Sequence, residues 1–79
     1  MEIYLSKVVN DTFSSSQEQS FASAEAAMDH TVKGALAIGA EQIMARLPLF
    51  VAEITVEQGG RVLERRMVSM SNSPLHLPG

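Results

Sequence analysis

The chain has 79 residues, a formal net charge of −3, a pI near 5.2 and no cysteine. This length corresponds to one domain, which we place at residues 1–70, with residues 71–79 as an extended C-terminal tail. Without cysteine, neither a disulfide nor a thiolate–metal site can form. No apolar run approaches the roughly 20 residues that span a membrane, and the N-terminus lacks the apolar core of a signal peptide. We therefore expect a cytoplasmic protein that does not bind membranes.

The negative net charge also limits which partners the chain can bind. General nucleic-acid binding requires a basic face, so this activity is not expected of the chain as a whole. A domain of this size buries only about 60% of its unfolded surface and is marginally stable alone. Self-association would add stability, and the sequence therefore predicts a homodimer.

The first segment, Glu2–Val9, is rich in β-forming residues and predicts a strand. Ile3 and Leu5 share one face, and Tyr4 and Val8 share the other. Apolar residues on both faces indicate a strand covered by a helix on one side and partly by a partner on the other.

A polar segment follows, from Asn10 to Ser20, and predicts a loop. Asn10 and Asp11 favour a turn, because both side chains can hydrogen-bond to their own backbone. Phe13 is the apolar exception and is expected to pack against the sheet. Phe21 is expected to pack back onto the first turn of the helix that comes next.

Residues 24–47 predict one long helix, because Ala, Glu, Met and Leu dominate. Ser23 is a suitable N-cap, and Pro48 ends the helix because it has no N–H to donate. Gly34 and Gly39 lie inside, at a cost of about 1 kcal/mol each relative to alanine. Either a neighbouring element approaches closely at these glycines, or a long helix simply tolerates them.

The 3.6-residue period divides the helix into two sides. One side is expected to be buried, and comprises Met28, Val32, Ala35, Leu36, Gly39, Ile43 and Leu47. The other carries little charge around Ala37, Glu41 and Met44, which we predict to contact a partner. An ordinary alanine-rich exposed helix surface is the alternative.

The third segment, Leu49–Glu57, alternates clearly and predicts a half-buried antiparallel strand. The pair Gly59-Gly60 permits the positive φ values of a type I′ turn, so Arg61–Met70 is expected to return as the neighbouring strand. The register implied by this turn pairs Glu57 with Val62, Val56 with Leu63, Thr55 with Glu64 and Glu53 with Arg66. It also places Arg65 on the apolar face beside Ile54, unless the turn is longer or the strand contains a bulge.

Arg61, Arg65 and Arg66 form the one local basic cluster. These arginines are predicted to contact a phosphate or an acidic partner. The alternative is a self-neutralised surface, since three glutamates lie on the same hairpin: Glu53, Glu57 and Glu64.

Catalytic patterns are missing from the sequence. Asp29 and His30 are adjacent and point about 100° apart on a helix, so they make neither a metal pair nor a dyad. Gly59-Gly60 lacks the Lys-Ser/Thr and the following helix of a phosphate-binding loop. We expect no cofactor, no metal and no enzyme. A third option is an active site formed across a dimer with His30.

Three stretches resemble a known family: Phe21-Ala22-Ser23-Ala24-Glu25-Ala26-Ala27, Glu53-Ile54-Thr55-Val56 and Gly60-Arg61-Val62-Leu63. Over residues 1–70 the chain is similar to short uncharacterised alphaproteobacterial proteins that share a domain of unknown function. Its serine-rich first loop departs from that family's acidic Asp-Gly type. The resemblance implies a strand–helix–hairpin fold and no activity.

These observations predict an α+β domain of order β-α-β-β, with a three-stranded, mainly antiparallel sheet and one long helix on one face. The first strand is expected to pair with the last, which leaves Leu49–Glu57 as an edge open to a second chain. The predicted function is a non-catalytic protein-binding module, such as a small regulator or a phage-type inhibitor of a larger complex. The alternative is a nucleic-acid or phosphate-ligand binder that uses the arginine-bearing hairpin.

Overall fold

A computed structural model describes residues 1–75, so His76 and Leu77 of the predicted tail lie outside the described residues. The elements in chain order are β1 (Glu2–Val9), β2 (Ser14–Phe21), α1 (Ala24–Met44), β3 (Leu49–Gln58) and β4 (Arg61–Ser71). The strands form one antiparallel sheet of order β2-β1-β3-β4. The α+β class and the single long helix on one face are confirmed, but the sheet has four strands and not three.

The additional strand is β2, in the segment predicted to be a loop. It pairs with β1 along its whole length, from Glu2 opposite Phe21 to Val9 opposite Ser14. The connecting turn begins at Asn10, as predicted, and the Asn10 side chain accepts hydrogen bonds from both the backbone N–H and the hydroxyl of Thr12. Seven of the eight β2 residues are polar, so neither face shows the apolar alternation that marks a half-buried strand.

The prediction that Leu49–Glu57 forms an edge is wrong. β3 lies in the interior of the sheet, between β1 and β4, and β1 pairs with β3 rather than with the last strand. The sheet edges are therefore β2 and β4. Burial explains the order, because β3 carries four consecutive inward side chains that are at most 1% exposed: Phe50, Ala52, Ile54 and Val56.

The helix begins as predicted. The Ser23 hydroxyl accepts a hydrogen bond from the N–H of Ala26 at 3.1 Å, which caps the first turn. The core contains Met28, Ala35 and Ile43 from the predicted buried side, together with Ala27. Phe13 and Phe21 pack against this core, as expected from the sequence.

Gly39 brings the helix close to β3. A Cβ built on Gly39 would lie 2.6 Å from Cδ2 of Phe50, whereas one built on Gly34 would meet nothing within 4 Å. The Phe50 ring is 1% exposed and has no room to move away. Both sequence interpretations therefore apply, close approach at Gly39 and tolerance at Gly34.

The helix ends at Met44, three residues before the predicted end at Leu47. Arg46 has a φ of +79°, in the left-handed region. The N–H of Arg46 bonds to the carbonyl of Ile43, and the N–H of Leu47 bonds to the carbonyl of Gln42, each at 3.1 Å. This pair of bonds is a Schellman motif with arginine in the position that glycine usually occupies.

A bulge changes the register of the hairpin. Glu57 lies opposite Val62 as predicted, but the register then shifts, and Val56 lies opposite Glu64. The extra residue is Leu63. Beyond it the predicted pairs are wrong by one position, so Arg66 and not Arg65 lies opposite Ile54. A bulge of this kind was the stated alternative, and it turns Arg65 away from the apolar face.

We expect opposite effects from adding a methyl group at the two helix glycines. Gly39→Ala should lower the free energy of unfolding by about 1–2 kcal/mol, because overpacking against Phe50 exceeds the gain in helix propensity. Gly34→Ala should raise it by up to about 1 kcal/mol, since only the propensity changes. Urea denaturation followed by circular dichroism measures both. Equal shifts in the two variants would contradict the close contact at Gly39.

Arg46→Gly should raise the free energy of unfolding by about 0.5–1 kcal/mol, because glycine adopts the left-handed conformation without the steric cost of a Cβ. Arg46→Ala removes the same side chain and retains the Cβ, and is the matched control. If both variants show the same stability, the backbone at residue 46 is not the source of strain.

Candidate functional site

The helix covers one face of the sheet and leaves the other open. We call this second surface the open face. It carries alternate residues of each strand, including Ile3, Leu5, Lys7 and Val9 of β1, whose neighbours Tyr4, Ser6 and Val8 are buried beneath the helix. The pairing registers extend it through Leu49, Val51, Glu53 and Thr55 of β3 and Arg65, Met67 and Ser69 of β4.

An apolar depression of about 340 Å³ lies at one end of the open face. It is lined by four hydrophobic side chains and three polar or acidic ones: Val9, Leu49, Val51, Met67, Asn10, Asp11 and Glu53. Val9 is 50% exposed, Leu49 is 54% exposed and Met67 is 70% exposed. Three strands supply these side chains, because Val9 lies opposite Glu53, which in turn lies opposite Met67. Hydrophobic groups grouped in this way on a sheet surface are typical of a binding site.

The charges beside this depression form ion pairs. Lys7 Nζ lies 2.8 Å from Glu57 Oε2, across the β1–β3 pair. Arg65 donates from Nε to Glu53 Oε1 at 3.1 Å and also contacts that oxygen through Nη2. Both pairs are partly exposed and contribute little stability, but they neutralise most of the charge on the open face. The surface beside the apolar depression is therefore polar with little net charge.

The predicted arginine cluster is divided between the two faces of the sheet. Arg65 lies on the open face and contacts Glu53, so the predicted pairing of Glu53 with Arg66 is wrong. Arg66 lies on the helix side, 3.5 Å from Asp29 and 3.6 Å from Glu64. Arg61 lies opposite Gln58 at the turn. Because Arg65 and Arg66 point away from each other and have carboxylate partners, they do not present a common phosphate-binding surface.

The predicted helix surface is exposed to solvent. Ala37, Glu41 and Met44 follow one another at spacings of four and three residues, and Met44 is 81% exposed. The structure places these three side chains on one side of α1, away from the sheet.

A third feature is a groove of about 180 Å³ between α1 and β2. Ser6, Val8, Gln17 and Gln19 lie on its floor, while His30, Gly34 and Ile38 line the helix side. The His30 ring lies 5.3 Å from the ring of Phe21, at an angle of 48°. The groove lies on this side because the helix packs mainly on β3 and β4 and contacts β1 and β2 less closely.

Tyr4 lies beside this groove, opposite Gln19. Its side chain is buried, and its hydroxyl donates a hydrogen bond to Glu2 Oε2 at 3.0 Å. Burial raises the pKa of Tyr4 above its ordinary value of 10.0, and the hydrogen bond to Glu2 and the negative charge of Glu2 act in the same direction. The folded protein therefore retains the phenol proton more strongly than the unfolded chain.

Within residues 1–75, no group of three or more His, Asp or Glu side chains is arranged to hold a metal ion. Among the helical residues that the structure describes, no helix is long and apolar enough to cross a membrane. No family model, curated protein or solved structure matches the chain.

The sequence contained one signal for the open face. Both faces of β1 carry apolar residues, and this pattern predicted a second covered surface. The apolar depression itself could not be predicted, because Val9, Leu49 and Met67 come together only in the observed strand order and with the bulge at Leu63.

The raised pKa of Tyr4 predicts that stability falls with pH in the alkaline range. The stability that the protonated Tyr4 phenol contributes is fully present below its unfolded pKa of about 10. It is lost as the pH rises through the higher folded pKa, because between the two pKa values only the unfolded state releases the proton. Tyr4→Phe should remove this part of the decline. Chemical denaturation at several pH values between 9 and the folded pKa measures it, and parallel curves for the two proteins would contradict the prediction.

Proposed function

We propose that this protein is a non-catalytic protein-binding module and that its partner contacts the open face at the apolar depression. The observation that carries the proposal is the exposure of Val9, Leu49 and Met67 around one concavity. Burying these side chains against a partner would stabilise the complex by about 25 cal/mol per Å² of apolar surface removed from water. A role as a small regulator, or as a phage-type inhibitor of a larger complex, is in keeping with such a surface.

The surroundings of the depression indicate the chemistry of the partner. Lys7 and Arg65 are already paired with Glu57 and Glu53, so a strongly charged partner would have to break these contacts. A protein segment with one or two projecting apolar side chains fits better. Binding of this kind depends little on salt, because hydrophobic burial and not ion pairing supplies the affinity.

The location we propose is the cytoplasm. A chain without cysteine needs no oxidising compartment for its folding. The nucleic-acid alternative has little support, because Arg65 and Arg66 lie on opposite faces and each contacts a carboxylate.

The experiment compares two lysine substitutions at exposed apolar side chains. Val9→Lys places a positive charge in the depression, opposite Glu53. Because Val9 is exposed and the Glu53 carboxylate lies close to the new charge, we expect the variant to fold. Met44→Lys places the same charge on the helix surface. Tagged wild-type protein and both variants are used to capture partners from cells of the natural host, and the bound proteins are quantified by mass spectrometry.

We expect Val9→Lys to lose a specific partner at least tenfold, because a buried apolar contact is replaced by a charge that must be desolvated. Met44→Lys should retain it. Loss only in Met44→Lys would move the site to the predicted helix surface. Binding of the wild-type protein to an oligonucleotide, with an affinity that falls steeply between low and high salt, would instead support the arginine hairpin.

A further inference from the structure

The outer edge of β4 is a long strand edge with an uncharged half. β4 has 11 residues, and its charged residues all precede Met67. The N–H of Asn72 donates to the carbonyl of Pro48 at 3.0 Å, on the side of β3. Because backbone groups alternate along an antiparallel strand, those of Met67, Ser69 and Ser71 face outward, away from β3. The structure thus presents a row of outward N–H and C=O groups along an uncharged segment.

The hydrophobic core is also open on this side of the molecule. Val68 and Met70 of β4 and Val32 of α1 pack against the core but are only partly buried. Val32 lies one turn along the helix from Asp29, which contacts Arg66 of β4. Leu36 follows one turn later and is also half-buried. The helix flank above β4 therefore continues the apolar rim formed by Val68 and Met70.

The other edge of the sheet has the opposite character. β2 carries the polar residues Ser15, Gln17 and Gln19 on the helix side, where they line the groove between α1 and β2. A strand added to β2 would cover polar side chains that are already solvated. A strand added to β4 would instead cover the partly buried apolar side chains at this side of the core. Pairing at β4 would therefore bury apolar surface, whereas pairing at β2 would bury polar surface.

We propose that β4 pairs antiparallel with β4 of a second copy of this chain, about a two-fold axis at Ser69, to form a continuous eight-stranded sheet. This inference does not rest on the proposed function, because the edge is used and not the open face. In this register Val68 lies opposite Met70 of the second copy, both on the helix side, and Met67 lies opposite Ser71. Ser69 lies opposite itself.

Charge disfavours the register with its axis at Met67, and the pairing of Val68 with Met70 favours the axis at Ser69. Helix-side residues must pair with helix-side residues, so the register can shift only in steps that keep alternate residues on the same face. An axis at Met67 would bring Arg66 opposite Val68 and Arg65 opposite Ser69. An axis at Ser69 leaves both arginines outside the paired segment Met67–Ser71, and it is the axis that opposes Val68 to Met70.

The dimer has a consequence for the binding surface. Each open-face depression includes Met67, which lies on the paired edge. Joining the two edges would therefore place two depressions side by side on one surface, related by the two-fold axis. A partner with two equivalent sites would gain from both depressions at once.

The first test uses proline as an edge block. Ser69→Pro removes an N–H that faces outward and leaves the bonds between β4 and β3 in place. Ser16→Pro is the matched control on β2, where the N–H of Asn10 bonds to the carbonyl of Phe13 and the alternation turns the backbone of Ser16 outward. Mass in solution is measured by sedimentation equilibrium from micromolar to millimolar concentration, because an edge-to-edge interface lies at the small end of the size range.

We expect the wild-type protein and Ser16→Pro to dimerise with the same dissociation constant, and Ser69→Pro to raise it roughly 10- to 100-fold, since two hydrogen bonds are lost. Circular dichroism confirms that both variants are folded. A wild-type protein that stays monomeric throughout, or a dimer lost only in Ser16→Pro, would overturn the proposal.

The second test examines the register and does not depend on proline. Ser69→Lys and Ser69→Glu each place like charges opposite each other at the two-fold axis, which should weaken the dimer roughly fivefold. An equimolar mixture should restore association, because lysine then lies opposite glutamate. Restoration supports the axis at Ser69. Weakening without restoration overturns this register, and no weakening in either single variant overturns the β4 interface.

Discussion

The ring of Phe50 occupies the space where a side chain at residue 39 would lie. This contact fixes the distance between α1 and β3 at a point where both are buried. It requires glycine on the helix and a large ring on the strand, so either partner alone would leave a clash or a cavity. Other features depend on it, because the helix lies above β3 and β4 and not above the centre of the sheet. The strand most buried by the helix is accordingly the internal strand β3.

The position of the helix accounts for the polarity of β2. A strand that the helix covers only in part gains little from apolar residues, and β2 carries polar residues on both faces. It is held instead by its ladder of backbone bonds to β1 and by Phe21, which packs against the core. For the same reason the sequence did not predict β2. Hydrophobic alternation records burial, and a strand that is paired but not buried has no such pattern.

The elements that bury side chains were predicted well. The N-cap at Ser23, the inward residues of β3 and most of the buried helix side follow from local chemistry and periodicity, and the structure confirms them. The strand order was wrong because it depends on competition between long-range pairings, which no local pattern records. The predicted helix end was wrong because Arg46 adopts a left-handed conformation, which sequence analysis expects of glycine. The candidate site could not be predicted either, because its residues are far apart in sequence and come together only through the strand order.

The bulge at Leu63 determines which side chains of β4 lie on each face of the sheet. Without it, Arg65 would lie opposite Ile54 on the helix side, which is the position that Arg66 occupies in the structure. With it, Arg65 turns to Glu53 on the open face, and Arg66 reaches Asp29 on the helix at the rim of the core. The extra residue therefore determines which of the two arginines faces the helix and which lies on the open face, and so which carboxylate each contacts. Beyond the bulge, the uncharged second half of β4 pairs regularly with β3, and an edge of this kind can accept another strand.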